Sequence, residues 1–267
     1  MWVTLHRLAS PPTFYRLAGK LVPWLAAITL VLMLWGLFQG LAVAPPDYQQ
    51  GDGYRIIFVH VPSAWMSLFV YVSMAAAGLI ALVWRIKLAE IFVASAAPLG
   101  ASFTFMALVT GSLWGKPMWG TYWVWSARLT SELILLFLYL GVIGLYNAIE
   151  DRRSASRAAS VLALVGVVNV PIIHYSVVWW NSLHQGSSFK NFMNPSIADA
   201  MLVPLLVMVA AFQIYFFAVV LVRMRGEILA RERHSRWVRE LVAGDSGPGG
   251  SGRRRELRHE PVTQGQG

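Results

Sequence analysis

The chain has 267 residues, of which 57% are hydrophobic and 13% are charged. Its mean hydropathy of +0.55 is too high for a soluble protein with a single core, so we expect several membrane spans. The chain contains no cysteine, which excludes a disulfide scaffold, an iron–sulfur cluster, a cysteine zinc site and a thiol nucleophile. The net charge of +9 is compatible with a nucleic-acid partner, so the positions of the charges matter more than their sum.

Six apolar runs along the chain are long enough to cross a bilayer as helices. They lie at about residues 22–43, 56–84, 91–113, 129–149, 158–180 and 200–222. The sequence has no run that alternates as a membrane β-strand does. It therefore predicts an all-α, polytopic membrane bundle of six transmembrane helices, in which the main interruptions are Pro98, Pro171 and Pro204.

Lysine and arginine are distributed unevenly between the two sides of these spans. Eighteen of the 22 lie in segments 1–20, 85–90, 150–157 and from 223 onward, and the other four are Arg55, Lys116, Arg128 and Lys190. Because short basic loops stay in the cytoplasm, we expect both termini there. The loops at about 44–55, 114–128 and 181–199 then face outward, into the periplasm of a Gram-negative cell. The positive charge thus indicates topology, and we expect no nucleic-acid partner.

The C-terminal region divides into two parts by composition. Residues 223–241 have the pattern of an amphipathic helix along the inner leaflet, with Trp237 at the interface. Residues 244–267 are rich in glycine, arginine and glutamine, and we predict a disordered cytoplasmic tail. The sequence therefore predicts one membrane domain at 1–243 followed by the tail at 244–267.

The predicted outer loop at 114–128 is rich in tryptophan. The segment WGKPMWGTYWVW contains Trp114, Trp119, Trp123 and Trp125, four of the twelve tryptophans of the chain. An interfacial aromatic belt explains one or two tryptophans at a helix end, and it remains the alternative interpretation. Four in one loop favour a binding surface for a flat, apolar and amphipathic ligand.

Two histidines lie on the same predicted side as this loop. His60 is at the outer end of the second span, and His184 follows the fifth. Two neutral imidazoles on different elements can hold an iron porphyrin from its two faces. His174 lies inside the fifth span, where we expect a hydrogen bond in the core to hold it. The remaining histidines fall on the cytoplasmic side: His6, His234 and His259.

Two arginines are candidates for the propionates of such a porphyrin. Arg55 precedes His60 by five residues, and Arg128 follows the tryptophan-rich loop. The arginine fork matches a carboxylate in two-point geometry. Contact with solvent or with lipid phosphate is the alternative. We expect Glu132 to have a structural role, either as a helix cap or in a local pair for which Arg128, one turn earlier, is a candidate partner.

Three motifs, in this order, are YRIIFVHVPSAWM, WGKPMWGTYWVWSARLTSELIL and HYSVVWWNSLHQG. They resemble the tryptophan-rich "WWD" signature and its flanking segments in the haem exporter protein C (CcmC) family, over about residues 20–240. The resemblance implies a bacterial inner-membrane protein that is not an enzyme and that binds haem b non-covalently at the periplasmic face. It also implies that His60 and His184 are the axial ligands of the haem iron, beside the tryptophan-rich loop.

The resemblance further implies partners in cytochrome c maturation. The family passes haem to a membrane-anchored periplasmic haem chaperone, CcmE, which binds it covalently. A complex of the ATPase CcmA, the permease CcmB and the small subunit CcmD then releases the loaded chaperone. Membrane lipid surrounds the spans. A chain without cysteine suits reversible histidine ligation, with thioether attachment left to the final acceptor.

One position departs from the family pattern, because Ser126 stands where the signature usually has aspartate. Serine supplies no carboxylate to orient an arginine, to accept a hydrogen bond from haem or to attract the chaperone.

Two other functions remain open. A haem-containing electron-transfer subunit would bury facing pairs of histidines within its spans, whereas only His174 lies clearly inside one. A haem or solute transporter would place acids near the middle of the bilayer, and these spans lack central acids.

Overall fold

The computed structural model describes residues 10–180 and 197–245, with side chains to residue 243. Several predicted features lie outside these ranges, namely His6, His184, His259, most of the outer loop 181–199 and tail residues 246–267. The described residues form eight α-helices and no strand, so the all-α prediction is confirmed. The helices are α1 (Pro11–Phe38), α2 (Ile57–Trp84), α3 (Lys87–Trp119), α4 (Ala127–Ala148), α5 (Arg152–Gly166), α6 (Asn169–Trp179), α7 (Asp199–Arg231) and α8 (Arg236–Asp245).

Six helical segments of the described chain are long and apolar enough to cross a membrane, as predicted. They are Pro11–Val43, Asp52–Trp84, Lys87–Trp119, Ala127–Ala148, Arg152–Trp179 and Asp199–Arg231. The first ends in a π-helical turn at Gln39–Val43, and the second begins with a 3₁₀ turn at Asp52–Ile56. Most extend beyond the apolar runs, because a helix keeps its backbone hydrogen-bonded as it leaves the hydrocarbon region. The side on which the termini lie stays a prediction.

The fifth span is interrupted beside Pro171, as predicted. Helix α5 ends at Gly166 and α6 begins at Asn169. Pro171 has no N–H to donate to the carbonyl of Val167, and its ring crowds that carbonyl. By contrast, Pro98 and Pro204 lie inside the continuous helices α3 and α7, so these two prolines do not interrupt the backbone.

Helices α2 to α6 form the packed centre of the bundle. Helix α2 contacts α3 and α5, and α4 contacts α3, α5 and α6. Small residues permit the close approaches: a Cβ on Gly78 would lie 3.3 Å from the backbone of Ser160. A Cβ on Gly100 would overlap the ring of Tyr139. Small residues at helix contacts are typical of membrane bundles, where van der Waals packing drives association.

Helices α1 and α7 flank this centre. Phe212 of α7 packs against Phe103 of α3, with ring centroids 5.9 Å apart. Gly36 of α1 faces Met208, whose Sδ would lie 2.7 Å from an added Cβ. These contacts belong to a compact unit that extends to Ile228.

The second unit begins at Leu229 and includes α8. The prediction that an amphipathic helix begins at residue 223 is wrong, because α7 continues to Arg231 and a turn separates it from α8. The Nε1 of Trp237 donates to Glu232 Oε2 at 2.6 Å, and Arg236 Nε donates to Glu240 Oε1 at 2.6 Å. These local contacts order the turn and the first turns of α8. Its position along the inner leaflet stays a prediction.

Candidate functional site

One cleft brings together most of the predicted site residues that the structure describes. It encloses about 870 Å³ of space between its walls, part of which is open to the outside. Helices α2 and α3, the segment after α3 and the first turns of α4 form its walls. The predicted residues that line it are His60, Trp114, Trp119, Trp123 and Arg128.

His60 lies in the first turn of α2 and is only 9% exposed. Its Nδ1 is 3.0 Å from Oγ1 of Thr110 on α3. The single hydroxyl proton of Thr110 is donated to the carbonyl of Met106 at 2.6 Å. We therefore assign Thr110 as the acceptor and Nδ1 as the protonated nitrogen of the neutral ring. In this tautomer Nε2 holds the lone pair that a metal requires.

Two further residues of α3 fix the plane of the His60 ring. The edge of Trp114 meets it at a centroid distance of 5.7 Å and an interplanar angle of 71°. A Cβ on Gly111 would lie 3.0 Å from His60 Cε1, so glycine gives the ring the space that it occupies. Sequence analysis missed Thr110 and Gly111. The sequence gives no signal for the contact of Thr110, because it joins residues 50 apart in the chain.

Trp114 is held in turn by the segment between α1 and α2. Its Nε1 donates to Gln50 Oε1 at 3.1 Å. Gln50 lies in a turn closed by backbone hydrogen bonds between Asp47 and Gly51, at 2.9 and 3.1 Å. Oδ1 of Asp47 also accepts from the Gln50 amide at 2.8 Å. Gly51 has φ +54°, which glycine adopts without strain. The sequence gives no signal for this contact, because it joins segments 64 residues apart.

The prediction of a loop at 114–128 is wrong for its first six residues and for its last two, which are helical. Helix α3 continues through Trp119 and ends where Gly120, at φ +79°, donates to the carbonyl of Lys116. Pro117 lies in the last turn, where it removes only one hydrogen bond and does not end the helix. Trp114 and Trp119 are therefore positioned by a helix, and only 120–126 lies outside regular structure.

Trp123 and Trp125 differ in their surroundings. Their rings meet edge to face at 5.4 Å. Trp125 is 75% exposed and does not line the cleft. Nε1 of Trp123 is buried and has no acceptor among the described residues. Since buried donors in folded proteins almost always have partners, this indole N–H fits a ligand that brings an acceptor into the cleft.

Ser126 and Arg128 lie where α4 begins at the edge of the cleft. Ser126 is the N-cap, and its Oγ accepts from the amide of Leu129 at 3.3 Å. Serine and aspartate cap helices about equally well, so serine keeps the helix start and removes one negative charge from the cleft. Arg128 lies in the first turn, where a cation opposes the helix dipole by about 0.3–1 kcal/mol. Stabilisation of α4 therefore does not explain why an arginine stands at position 128.

Glu132 also lines the cleft, and sequence analysis gave it only a structural role. It is 9% exposed, and its Oε1 accepts from Ser67 Oγ of α2 at 2.7 Å. The hydrogen bond joins α2 to α4 directly beneath the cleft. Glu132 thus supports the wall that carries Arg128 one turn earlier.

Like Trp125, Arg55 and His174 do not line the cleft. Arg55 donates to Asp52 Oδ1 at 2.9 Å and to the carbonyl of Gly40 at 2.8 Å, and it does not line the cleft. His174 is exposed on α6, and its described contact is the ring of Tyr175 at 4.8 Å. The expectation of a core hydrogen bond for His174 is wrong, because α6 turns this position outward. Its neighbour Ile173 lines the cleft instead.

Comparison with known proteins identifies the family. The family model for "Heme exporter protein C" matches residues 4–239. The chain is 56% identical to Heme exporter protein C of Escherichia coli (strain K12) over 242 residues, which are 91% of this chain and 98% of that protein. It is 53% identical to the Haemophilus influenzae protein of the same name, with the same coverage. A ccmC-like mitochondrial protein of Marchantia polymorpha, named for cytochrome c biosynthesis, is 47% identical over 189 residues, which are 71% of this chain and 77% of that protein.

The match covers all six membrane-length segments and every residue that lines the cleft. It extends along nearly the full length of the bacterial relatives. The chain therefore belongs to the Heme exporter protein C family and is a multi-pass protein of the inner membrane.

Proposed function

We propose that this chain handles haem for cytochrome c biogenesis by holding haem b at the periplasmic face and presenting it to the haem chaperone CcmE. Haem is cargo, bound without a covalent link. The observation that carries the proposal is the position of His60, in a cleft lined by three tryptophans and with its Nδ1 3.0 Å from Thr110 Oγ1. Donation from Nδ1 to Thr110 puts the lone pair that iron requires on Nε2. An imidazole beside aromatic walls suits the iron and the apolar face of a porphyrin.

Two groups in the cleft are suited to the propionates of haem. Arg128 contributes a guanidinium whose fork matches a carboxylate, at a helix position that does not favour a cation. The buried Nε1–H of Trp123 has no acceptor among the described residues, and a propionate oxygen would supply one. Arg55 already bonds to Asp52 and Gly40, so its contact with a propionate stays a prediction.

His184 is proposed as the second axial ligand. It lies outside the described residues, and its role rests on the resemblance of its motif to that of the family. A ligand on a separate outer segment suits transfer, because one axial bond can break while the other holds. The proposed ligation is reversible, and the absence of cysteine excludes thioether attachment of haem to this chain.

The exposed rim of the cleft is the proposed contact surface for the chaperone. Trp125 and Tyr122 are 75% and 56% exposed, and both follow α3 directly. Aromatic side chains are enriched where proteins bind one another. CcmA, CcmB and CcmD are the proposed further partners, which would release the loaded chaperone. The chain needs no bond-making residue for this role, so we do not propose enzyme activity.

The absorption spectrum of the detergent-purified chain tests haem binding. We expect His60→Ala combined with His184→Ala to abolish the Soret band. His174→Ala is the matched control, since this histidine lies away from the cleft. Loss of the band in the control, with the double variant unchanged, would overturn the assignment of the ligands.

Covalent haem on the chaperone tests delivery separately from binding. We expect Trp125→Ala to retain the Soret band and to lower the yield of haem-loaded CcmE. Ser126→Asp restores the carboxylate of the family signature, so we expect the same or a higher yield. A full yield from Trp125→Ala would remove this side chain from the proposed contact surface.

A further inference from the structure

A second pocket lies between α1 and α7, at the end of α1 remote from the haem cleft. Its walls come from the first turns of α1 and from one residue of α7, Arg225. The side chains that matter for its chemistry are those of Tyr15, Arg16, Lys20 and Arg225, with Gly19 between them.

The guanidinium of Arg225 is held firmly in this pocket. Its Cζ lies over the ring of Tyr15, 4.3 Å from the centroid. A Cβ on Gly19 would lie 3.2 Å from Cζ and Nη2, so glycine allows the guanidinium to lie flat against α1. The Nε of Arg225 is buried and has no hydrogen-bond partner among the described residues. A desolvated donor on a cation is costly unless an acceptor binds it.

The charges around Arg225 all have the same sign. Arg16 and Lys20 lie one turn apart on α1, where like charges repel. None of the described residues that line the pocket is acidic. Three cations therefore line one pocket with no carboxylate from the described lining to offset them, which indicates a site for an anion.

The position of the pocket identifies the class of anion. The apolar run of α1 begins next to Lys20, and that of α7 ends at Val222, three residues before Arg225. The pocket thus lies at the boundary of the hydrocarbon region, at the depth of lipid phosphates. Trp24, one turn beyond Lys20, is 72% exposed and continues the surface into the apolar region. Basic pockets between transmembrane helices on the cytoplasmic side bind anionic headgroups.

We propose that this pocket binds the phosphate of an anionic lipid, with Arg225 as the central contact and Lys20 and Arg16 beside it. Tyr15 and Gly19 orient the guanidinium, and the acyl chains lie along the exposed apolar face of α1. The site is independent of haem binding.

Native mass spectrometry of the full chain in detergent, titrated with phosphatidylglycerol or phosphatidylethanolamine, tests the proposal. We expect preferential binding of phosphatidylglycerol. Arg225→Gln and Lys20→Gln should each weaken it about fivefold, from roughly 1 kcal/mol for each basic residue at the membrane surface. Lys20 is exposed, so its replacement keeps the test valid if Arg225→Gln does not fold.

Arg153→Gln is the matched control, because Arg153 is exposed and lies in another predicted cytoplasmic segment. It should bind phosphatidylglycerol as the unchanged chain does. Inorganic phosphate should not displace the lipid at millimolar concentration. Three results would overturn the lipid site. The first is that Arg225→Gln and Lys20→Gln both bind phosphatidylglycerol as tightly as the unchanged chain. The others are that Arg153→Gln loses as much affinity as these two variants, or that inorganic phosphate displaces the lipid.

Discussion

Replacement of Thr110 by valine isolates the contact that sets the tautomer of His60. Valine nearly preserves the shape of threonine and removes the hydroxyl that lies 3.0 Å from Nδ1. Without this acceptor, the proton of the neutral ring is free to occupy Nε2, and the ring loses one of its restraints. Partners of this kind typically change the affinity for a metal 10–100-fold, or about 1.4–2.7 kcal/mol. We expect a loss of haem affinity in this range.

Titration of the purified chain with haem, followed at the Soret band, measures this loss. Thr110→Ser retains the hydroxyl and should bind nearly as the unchanged chain does. Thr104→Val is a matched control on the same helix, because Thr104 also donates to the carbonyl four residues earlier, at 2.8 Å, and lies away from the cleft. An unchanged affinity in Thr110→Val, or an equal loss in Thr104→Val, would refute the reasoning about the tautomer.

Three further substitutions test the walls of the cleft and the bundle. Gly111→Val should displace the His60 ring and weaken haem binding about tenfold or more, and an unchanged titration would contradict this. Ser126→Ala should remove the cap of α4, cost about 1 kcal/mol of stability and so lower the midpoint of thermal denaturation, whereas Ser126→Asp should retain the cap. Equal midpoints for the unchanged chain and both Ser126 variants would contradict the capping role. Gly100→Ala should lower stability by about 1–3 kcal/mol, because the added Cβ overlaps the ring of Tyr139. Gly144→Ala is the control and should be neutral or stabilising, because an added Cβ there has nothing within 4 Å. Equal midpoints of thermal denaturation for these two variants would contradict the packing at Gly100.

Composition predicts the spans well because a bilayer restricts what can cross it. The six apolar runs became six helical segments, since only helices and closed barrels satisfy their backbones in lipid. The helix ends were harder to predict. Trp114 and Trp119 were expected in a loop and are helical, because one proline in a last turn costs little there. Three prolines were predicted to interrupt spans, and of these only Pro171 lies beside a break in the helix, a difference that hydropathy does not resolve.

The site was predicted only in part, for a related reason. His60, Trp123 and Arg128 carry their chemistry in their residue types, and the structure brings them to one cleft. Thr110 and Gln50 act through contacts between segments distant in the chain, and their residue types are common in any helix or loop. Contacts of this kind follow from packing, so sequence alone does not indicate them.

An experimental structure of the haem-loaded chain in a lipid bilayer tests the central claim most directly. The account predicts iron within bonding distance of His60 Nε2 and of His184, with porphyrin against Trp114, Trp119 and Trp123. It also predicts a propionate oxygen within hydrogen-bond distance of Trp123 Nε1. Haem bound at His174 or elsewhere on the bundle, with His60 Nε2 not ligated to iron, would contradict it.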